Sequence, residues 1–259
     1  MRDPLKFFVR PVLRDASLVL AFDGWNDAGA AGSTAVAFLE RELHAVPLAE
    51  IECEELLDLT VTRPNVRAES DGQRTIEWPK LSFSFGSADA SRELVLAEGP
   101  EPHLRWRSFC DSVSEVVRVV GVRRVVLLGA YLADVVYSRP VSVTGFASHP
   151  GLLELLDVAA SGYEGPTGIV GVLAEHLAAE GHEVVSLWAG LPHYINASPN
   201  PRGALALVQK LVVFLDLKLD LEGLAREAAA FEERVSTLVA SDPELGEYVR
   251  ALKKREFAQ

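Results

Sequence analysis

The chain has 259 residues, which at about 150 residues per domain makes one large domain, or one domain with a small appendage. Its composition, 49% hydrophobic and 24% charged with a mean hydropathy of +0.15, excludes disordered, fibrous and collagen-like classes. Lys and Arg number 25 against 37 Asp and Glu, and a formal charge of −12 lacks the basic footprint that nucleic acid or an anionic membrane surface requires.

The first ten residues carry Arg2, Asp3, Lys6 and Arg10, and the first apolar run, residues 17–22, is too short for a signal core. No stretch reaches the roughly 18 apolar residues of a membrane span. Cys53 and Cys110 stand outside any C-x-x-C pair. A soluble, cytoplasmic protein with two buried, reduced thiols is expected, with no disulfide scaffold and no structural zinc.

Continuous apolar runs at residues 17–22, 93–97, 124–128 and 184–189 predict parallel strands covered on both faces. Helical spacing predicts helices over residues 31–44, 104–120, 168–179 and 203–217. This alternation implies an α/β fold built from βαβ units, with helices on both faces of the sheet. Residues 74–78 and 81–85 alternate in period two around Pro79-Lys80 and predict edge strands or an inserted hairpin, with residues 63–73 as an exposed loop. From Leu221 to Lys254 the signal is wholly helical. Leu224, Ala228, Phe231, Val235 and Leu238 make an apolar stripe, and Asp242-Pro243 marks a second helix start. The expected organisation is a main domain over residues 1–219 and a helical hairpin over 220–259, serving as a lid or an oligomer contact.

Three loops are the candidate site. The first is Phe22-Asp-Gly-Trp-Asn-Asp-Ala-Gly-Ala-Ala-Gly-Ser33, a strand-to-helix turn holding Asp23, Gly24, Trp25, Asn26, Asp27 and Gly29. Gly24-x4-Gly29 matches the start of a phosphate loop, but Ala30 and Ala31 replace its Lys and Ser/Thr, and two aspartates would repel an anion. Asp27 can instead cap the helix, or the turn can form a pocket lip. The second, Gly165-Pro166-Thr167-Gly168-Ile-Val-Gly171 with Tyr163 before it, enters a helix whose backbone N–H groups could hold an anion, helped by the Thr167 hydroxyl; helix–sheet packing explains its glycines equally. The third ends in His193-Tyr194 at a strand's carboxyl end, where open α/β sheets bind ligands, although a loop histidine beside a tyrosine commonly serves structure. No G-x-S-x-G elbow, H-E-x-x-H or S-x-x-K signature occurs, and the six histidines show no metal-binding spacing. Asn196-Ala-Ser198 is a glycosylation sequon without meaning in a cytoplasmic chain. No metal or cofactor is expected.

The chain resembles the proteasome assembly chaperone 2 family in its actinobacterial branch. The resemblance rests on Leu20-Ala-Phe-Asp-Gly-Trp-Asn-Asp-Ala-Gly29, Gly99-Pro-Glu-Pro-His-Leu-Arg-Trp106, Gly121-Val-Arg-Arg-Val-Val126, Ala133-Asp134, Arg139-Pro-Val-Ser-Val-Thr-Gly145, Tyr163-Glu-Gly-Pro-Thr-Gly-Ile-Val-Gly171, Trp188-Ala-Gly-Leu-Pro-His-Tyr194 and Pro199-Asn-Pro201. It implies a three-layer α/β/α sandwich similar to phosphorylases and related hydrolases, with a C-terminal helical subdomain. It also implies a homo-oligomer, trimer favoured, that acts as an ATP-independent chaperone-like partner of another protein complex. The family's archaeal members dock on proteasomes through a C-terminal hydrophobic–Tyr–any tail. The sequence here ends Phe257-Ala258-Gln259, so docking by that route is not expected. The alternative is a nucleoside- or sugar-directed enzyme or binder at the carboxyl edge, with Asp23 or Asp27 as base or hydroxyl binder and His193 as acid.

Overall fold

The computed structural model describes residues 4–69, 72–89 and 92–256; the Phe257-Ala258-Gln259 expectation lies outside them. Strand β2 (Ala16–Asp23) is buried over all but its last residue, and its pleat sorts its side chains between two cores. Leu18, Leu20 and Phe22 point to one face, where α2 (Trp106–Val120) and α4 (Ile169–Ala179) cover them with Phe109, Val113, Leu173 and Leu177. Val19 and Ala21 point to the other, against Val36 and Leu39 of α1 (Ala31–Glu42) and Leu207 and Leu211 of α5 (Pro201–Phe214). Phe22 and Phe109 meet with ring centroids 5.7 Å apart. Each such side chain contributes about 1.5–3 kcal/mol by leaving water. The result is a three-layer α/β/α sandwich.

Among the described residues the sheet has nine strands. Their order is β1 (Leu5–Phe7), β3 (Val46–Glu52), β6 (Lys80–Asp89), β7 (Arg92–Pro100), β2, β8 (Val122–Ala133), β11 (Glu183–Pro192), β9 (Val143–Ala147) and β10 (Ala159–Ala160). β7, β2, β8 and β11 are mutually parallel, as the continuous apolar runs predict. The flanks are not: β6 runs antiparallel to β7, β3 to β6, β1 to β3 and β9 to β11.

The section before β6 differs from its sequence expectation in two ways. Residues 81–85 are no edge strand, because β6 is paired on both sides, by β3 and β7. The expected loop at 63–73 contains β4 (Asn65–Ala68), which pairs with β5 (Arg74–Glu77) in a separate two-stranded ribbon. The alternation that identified β5 is equally present in Asn-Val-Arg-Ala, but its short length and polar neighbours hide it. Strand β3 and helix α3 (Pro150–Leu156) also carry signals too short to stand out.

After α5 the chain forms α6 (Glu222–Ser241) and α7 (Pro243–Glu256). Leu224, Ala228, Phe231 and Val235 of the stripe are buried, whereas Leu238 stays 50% exposed. Phe231 and Val235 pack on Ile195, and Val249 and Leu252 of α7 pack on Val136. The tail therefore covers the segments that follow β8 and β11. Asp242 Oδ1 accepts from the N–H groups of Glu244 (3.0 Å) and Leu245 (3.1 Å), with Pro243 opening the helix. No helix among the described residues is long and apolar enough to cross a membrane.

Candidate functional site

The turn after β2 is built by its own side chains. Gly24 takes φ +114°, a conformation that disfavours any side chain, and its carbonyl accepts from the N–H of Asp27 at 3.1 Å. Asp27 is buried and faces the start of α1. Its Oδ1 accepts from the N–H of Gly32 at 2.5 Å, and its Oδ2 accepts from the N–H and hydroxyl of Ser33 at 2.9 and 2.6 Å. These bonds satisfy donors that a helix start leaves open. Gly32 is small because a Cβ there would lie 3.1 Å from the same Oδ1. The glycine spacing thus serves a capped, tightly packed turn, and Asp27 is occupied by the chain's own backbone.

A carboxylate also fills the helix entry expected to hold an anion. Glu101, reached through a backbone bond from its N–H to the Asp23 carbonyl (3.2 Å), accepts from the N–H of Ile169 at 3.0 Å. Thr167 turns its hydroxyl to the Gly168 carbonyl at 3.4 Å. Asn26 lies beneath this entry, fully buried. Its backbone carbonyl accepts from the N–H of Ala130, yet among the described residues neither polar atom of its side chain has a hydrogen-bond partner. A Cβ on Gly168 would stand 2.5 Å from Asn26 Oδ1 and 2.8 Å from Glu101 Oε1, so close approach fixes this glycine. Glu101 is the residue that loop-by-loop inspection misses; the motif Gly99-Pro-Glu-Pro holds it, but its target is remote in sequence. The Tyr163 hydroxyl donates to the Pro166 carbonyl at 2.9 Å, closing a turn around Gly165, while its ring remains 66% exposed.

His193 and Tyr194 belong to a different group. Tyr194 donates to the Val135 carbonyl and accepts from the N–H of Tyr137, both at 2.9 Å. His193 Nδ1 is 3.1 Å from Asp134 Oδ1, which also accepts from the Tyr248 hydroxyl of α7 at 3.2 Å. The three rings meet edge to face, with centroids 5.4–5.6 Å apart. Burial and the Asp134 charge hold the Tyr248 hydroxyl above its usual range. Among the described residues no hydrogen bond or ion pair joins His193 to Asp23 or Asp27. The structure gathers Asp23, Asn26, Asp27 and Gly168 with Glu101, and places His193 and Tyr194 in the latch to α7.

Charge is concentrated at the β2 and β7 ends. Burial first, then Asp27, raises the Asp23 carboxyl. Burial, with Asp23, Glu40 and Asp27 adding, pushes Glu98 up to about 7. Burial also pushes Cys53 to about 11 and Cys110, beside Asp111, to about 12, so both free thiols are poor nucleophiles. Ligand cavities span roughly 300–1,000 Å³. A groove of about 580 Å³ lies instead at the far edge, between the ends of α2 and α4, lined by Asp111, Ser114, Glu180 and His182 among others. At the carboxyl edge, the gap beneath α6 beside Leu191 and Ile195 offers about 10 Å³. Among the described residues no three His, Cys, Asp or Glu side chains gather to hold a metal ion.

The PAC2 family model matches residues 21–239. The chain is similar to a PAC2 family protein of Streptomyces avermitilis, with 43% identity, a TM-score of 0.84, and coverage of 91% of this chain and 100% of that one. It is 38% identical to a proteasome-assembly chaperone homologue of Mycobacterium tuberculosis, with a TM-score of 0.82 over 90% of this chain and 99% of that one. An archaeal proteasome activator of Pyrococcus furiosus, 19% identical with a TM-score of 0.72 over 90% of this chain and 97% of that one, shares the fold. No curated protein matches.

Proposed function

The chain belongs to the PAC2 family, and from that premise we propose that it is a non-enzymatic, ATP-independent, chaperone-like homo-oligomer that binds another protein complex during assembly. One observation carries the proposal. At the edge where an α/β enzyme keeps its reactive groups, Asp27, Glu101 and Tyr194 are engaged by the chain's own backbone, while Trp25, Leu132 and Tyr163 stand 70%, 57% and 66% exposed. Such an edge offers a surface for a protein partner rather than a cavity for a substrate. Similarity to the mycobacterial proteasome-assembly chaperone homologue supports proteasome subunits as the first partner to test. The experiment is co-purification of the tagged chain with separately supplied proteasome core subunits, without nucleotide. A complex that elutes with assembly intermediates is expected; no complex with any subunit refutes the proposal.

A second reading, a hydrolase- or phosphorylase-like enzyme, draws on the raised carboxyls of Asp23 and Glu98 at the same edge. Thermal-shift measurements against nucleosides and sugar phosphates separate the two: the interaction reading expects no shift with any of them.

A further inference from the structure

Asn26 carries an amide that the folded chain leaves unused. It is fully buried, yet among the described residues neither Oδ1 nor Nδ2 has a hydrogen-bond partner. Burying an amide unpaired costs free energy, so such a group in a folded core points to a missing partner. Both atoms face the entry of α4. A Cβ on Gly168 would lie 2.5 Å from Oδ1, 3.0 Å from Nδ2 and 2.8 Å from Glu101 Oε1. The segment 161–168 closes this entry; it has no regular structure and is exposed from Ser161 to Thr167. Ser161 is tied to β9 by its N–H on the Gly145 carbonyl (2.7 Å), and Ile169 is tied to Glu101 (3.0 Å). Between these ties, among the described residues, the hydrogen bonds of residues 162–167 stay inside the segment. Lifting residues 162–167 therefore breaks no hydrogen bond to the sheet, and it bares the amide.

We propose that the bared amide is the floor of a site for the free N-terminal amine of a partner polypeptide. The inference rests on the protein-binding reading above and names the part of the partner that is held. An amide needs two things at once, a donor for Oδ1 and an acceptor for Nδ2. The first residue of a polypeptide supplies both, its ammonium donating and its carbonyl accepting. Charge selects the same group. Asp23, Glu98 and Glu101 lie at this edge, with Glu164 on the segment itself, and bonds from an ammonium to carboxylates are stronger than neutral ones. Burial and Asp27 raise the Asp23 carboxyl, a cost that a bound cation offsets. An anion meets repulsion here. A guanidinium or a lysine ammonium carries no acceptor and leaves Nδ2 unpaired. Trp25, next to Asn26 in the chain, and Tyr163, within the segment, expose their rings to the partner's first side chain.

Fluorescence polarisation on the full chain tests this with short peptides that differ only in their first residue, all natural residues represented. Each is made with a free and with an acetylated N-terminus and carries its dye at the other end. Free-amine peptides are expected to bind, and acetylation is expected to weaken them at least about tenfold. Asn26→Leu, similar in size, is expected to lose the same factor while its melting temperature stays level or rises, because the free chain loses no bond. A lower melting temperature with unchanged peptide affinity makes Asn26 a structural amide and overturns the site. If the variant misfolds, or melts lower and also loses binding, exposed Asp23→Asn decides. That variant is expected to weaken binding about threefold or more, and unchanged binding overturns the site. No binding by any free-amine peptide, or equal binding by an acetylated peptide that carries a lysine, overturns it too. Each of these leaves the protein-binding function standing if wild type still co-purifies with proteasome subunits. A wild type that binds the peptides but no subunit refutes that function alone.

Discussion

Asp27 accepts three hydrogen bonds from the first turn of α1 while buried beside Asp23, so removing it leaves buried N–H groups open. Asp27→Ala is expected to cost about 2–3 kcal/mol in urea unfolding, and Asp27→Asn less. Glu98 makes the opposite case. Its carboxyl titrates near 7 in the fold against an ordinary 4.5, because burial and three neighbouring carboxylates oppose its charge. A raised acid binds its proton more tightly folded than unfolded, so its contribution to stability falls as pH rises from about 4.5 to about 7 and stays low above. Glu98→Gln is therefore expected to stabilise the chain by about 1–3 kcal/mol at pH 8 and to have little effect at pH 4, read from melts at the two pH values. The capping role of Asp27 was legible in the sequence because it is local. Glu101 was not, because its partner Ile169 comes close only through the sheet.

At the scale of elements, α7 is held by the Asp134–His193–Tyr248 group and by Val249 and Leu252 on Val136. Two edge-to-face ring contacts end on Tyr248, each worth about 0.5–1.5 kcal/mol. Tyr248→Ala is expected to raise amide exchange across α7 about tenfold or more while leaving protection in β2 and β8 unchanged. A loss of protection throughout would mean that the tail and the sheet unfold as one. Phe231→Ala, which empties the contact on Ile195, is expected to cost about 3–5 kcal/mol. The tail helices and the cap at Asp242 follow from periodicity and one Asp-Pro pair. The central parallel strands were legible for a like reason, being apolar throughout. Antiparallel β3 and β6 and the ribbon were obscured because their partners and directions are set by tertiary pairing, which a single short alternation does not specify.

For the whole molecule, the fold places every loop of the candidate site at one edge of the sheet, and the same edge that could have held a substrate is closed by the chain's own caps. What remains there is exposed aromatic and aliphatic surface, acidic at its border, beside a tail latched over the β8 and β11 ends. On the proposed function the molecule acts by binding other chains, and that action is read in how another complex assembles. The most direct measurement is the rate at which actinobacterial proteasome core subunits assemble in vitro, followed by native gel filtration with and without the chain and with no nucleotide present. Faster or more complete assembly, with the chain bound to intermediates and absent from the finished particle, is the result expected. Unchanged assembly with no bound intermediate contradicts the account.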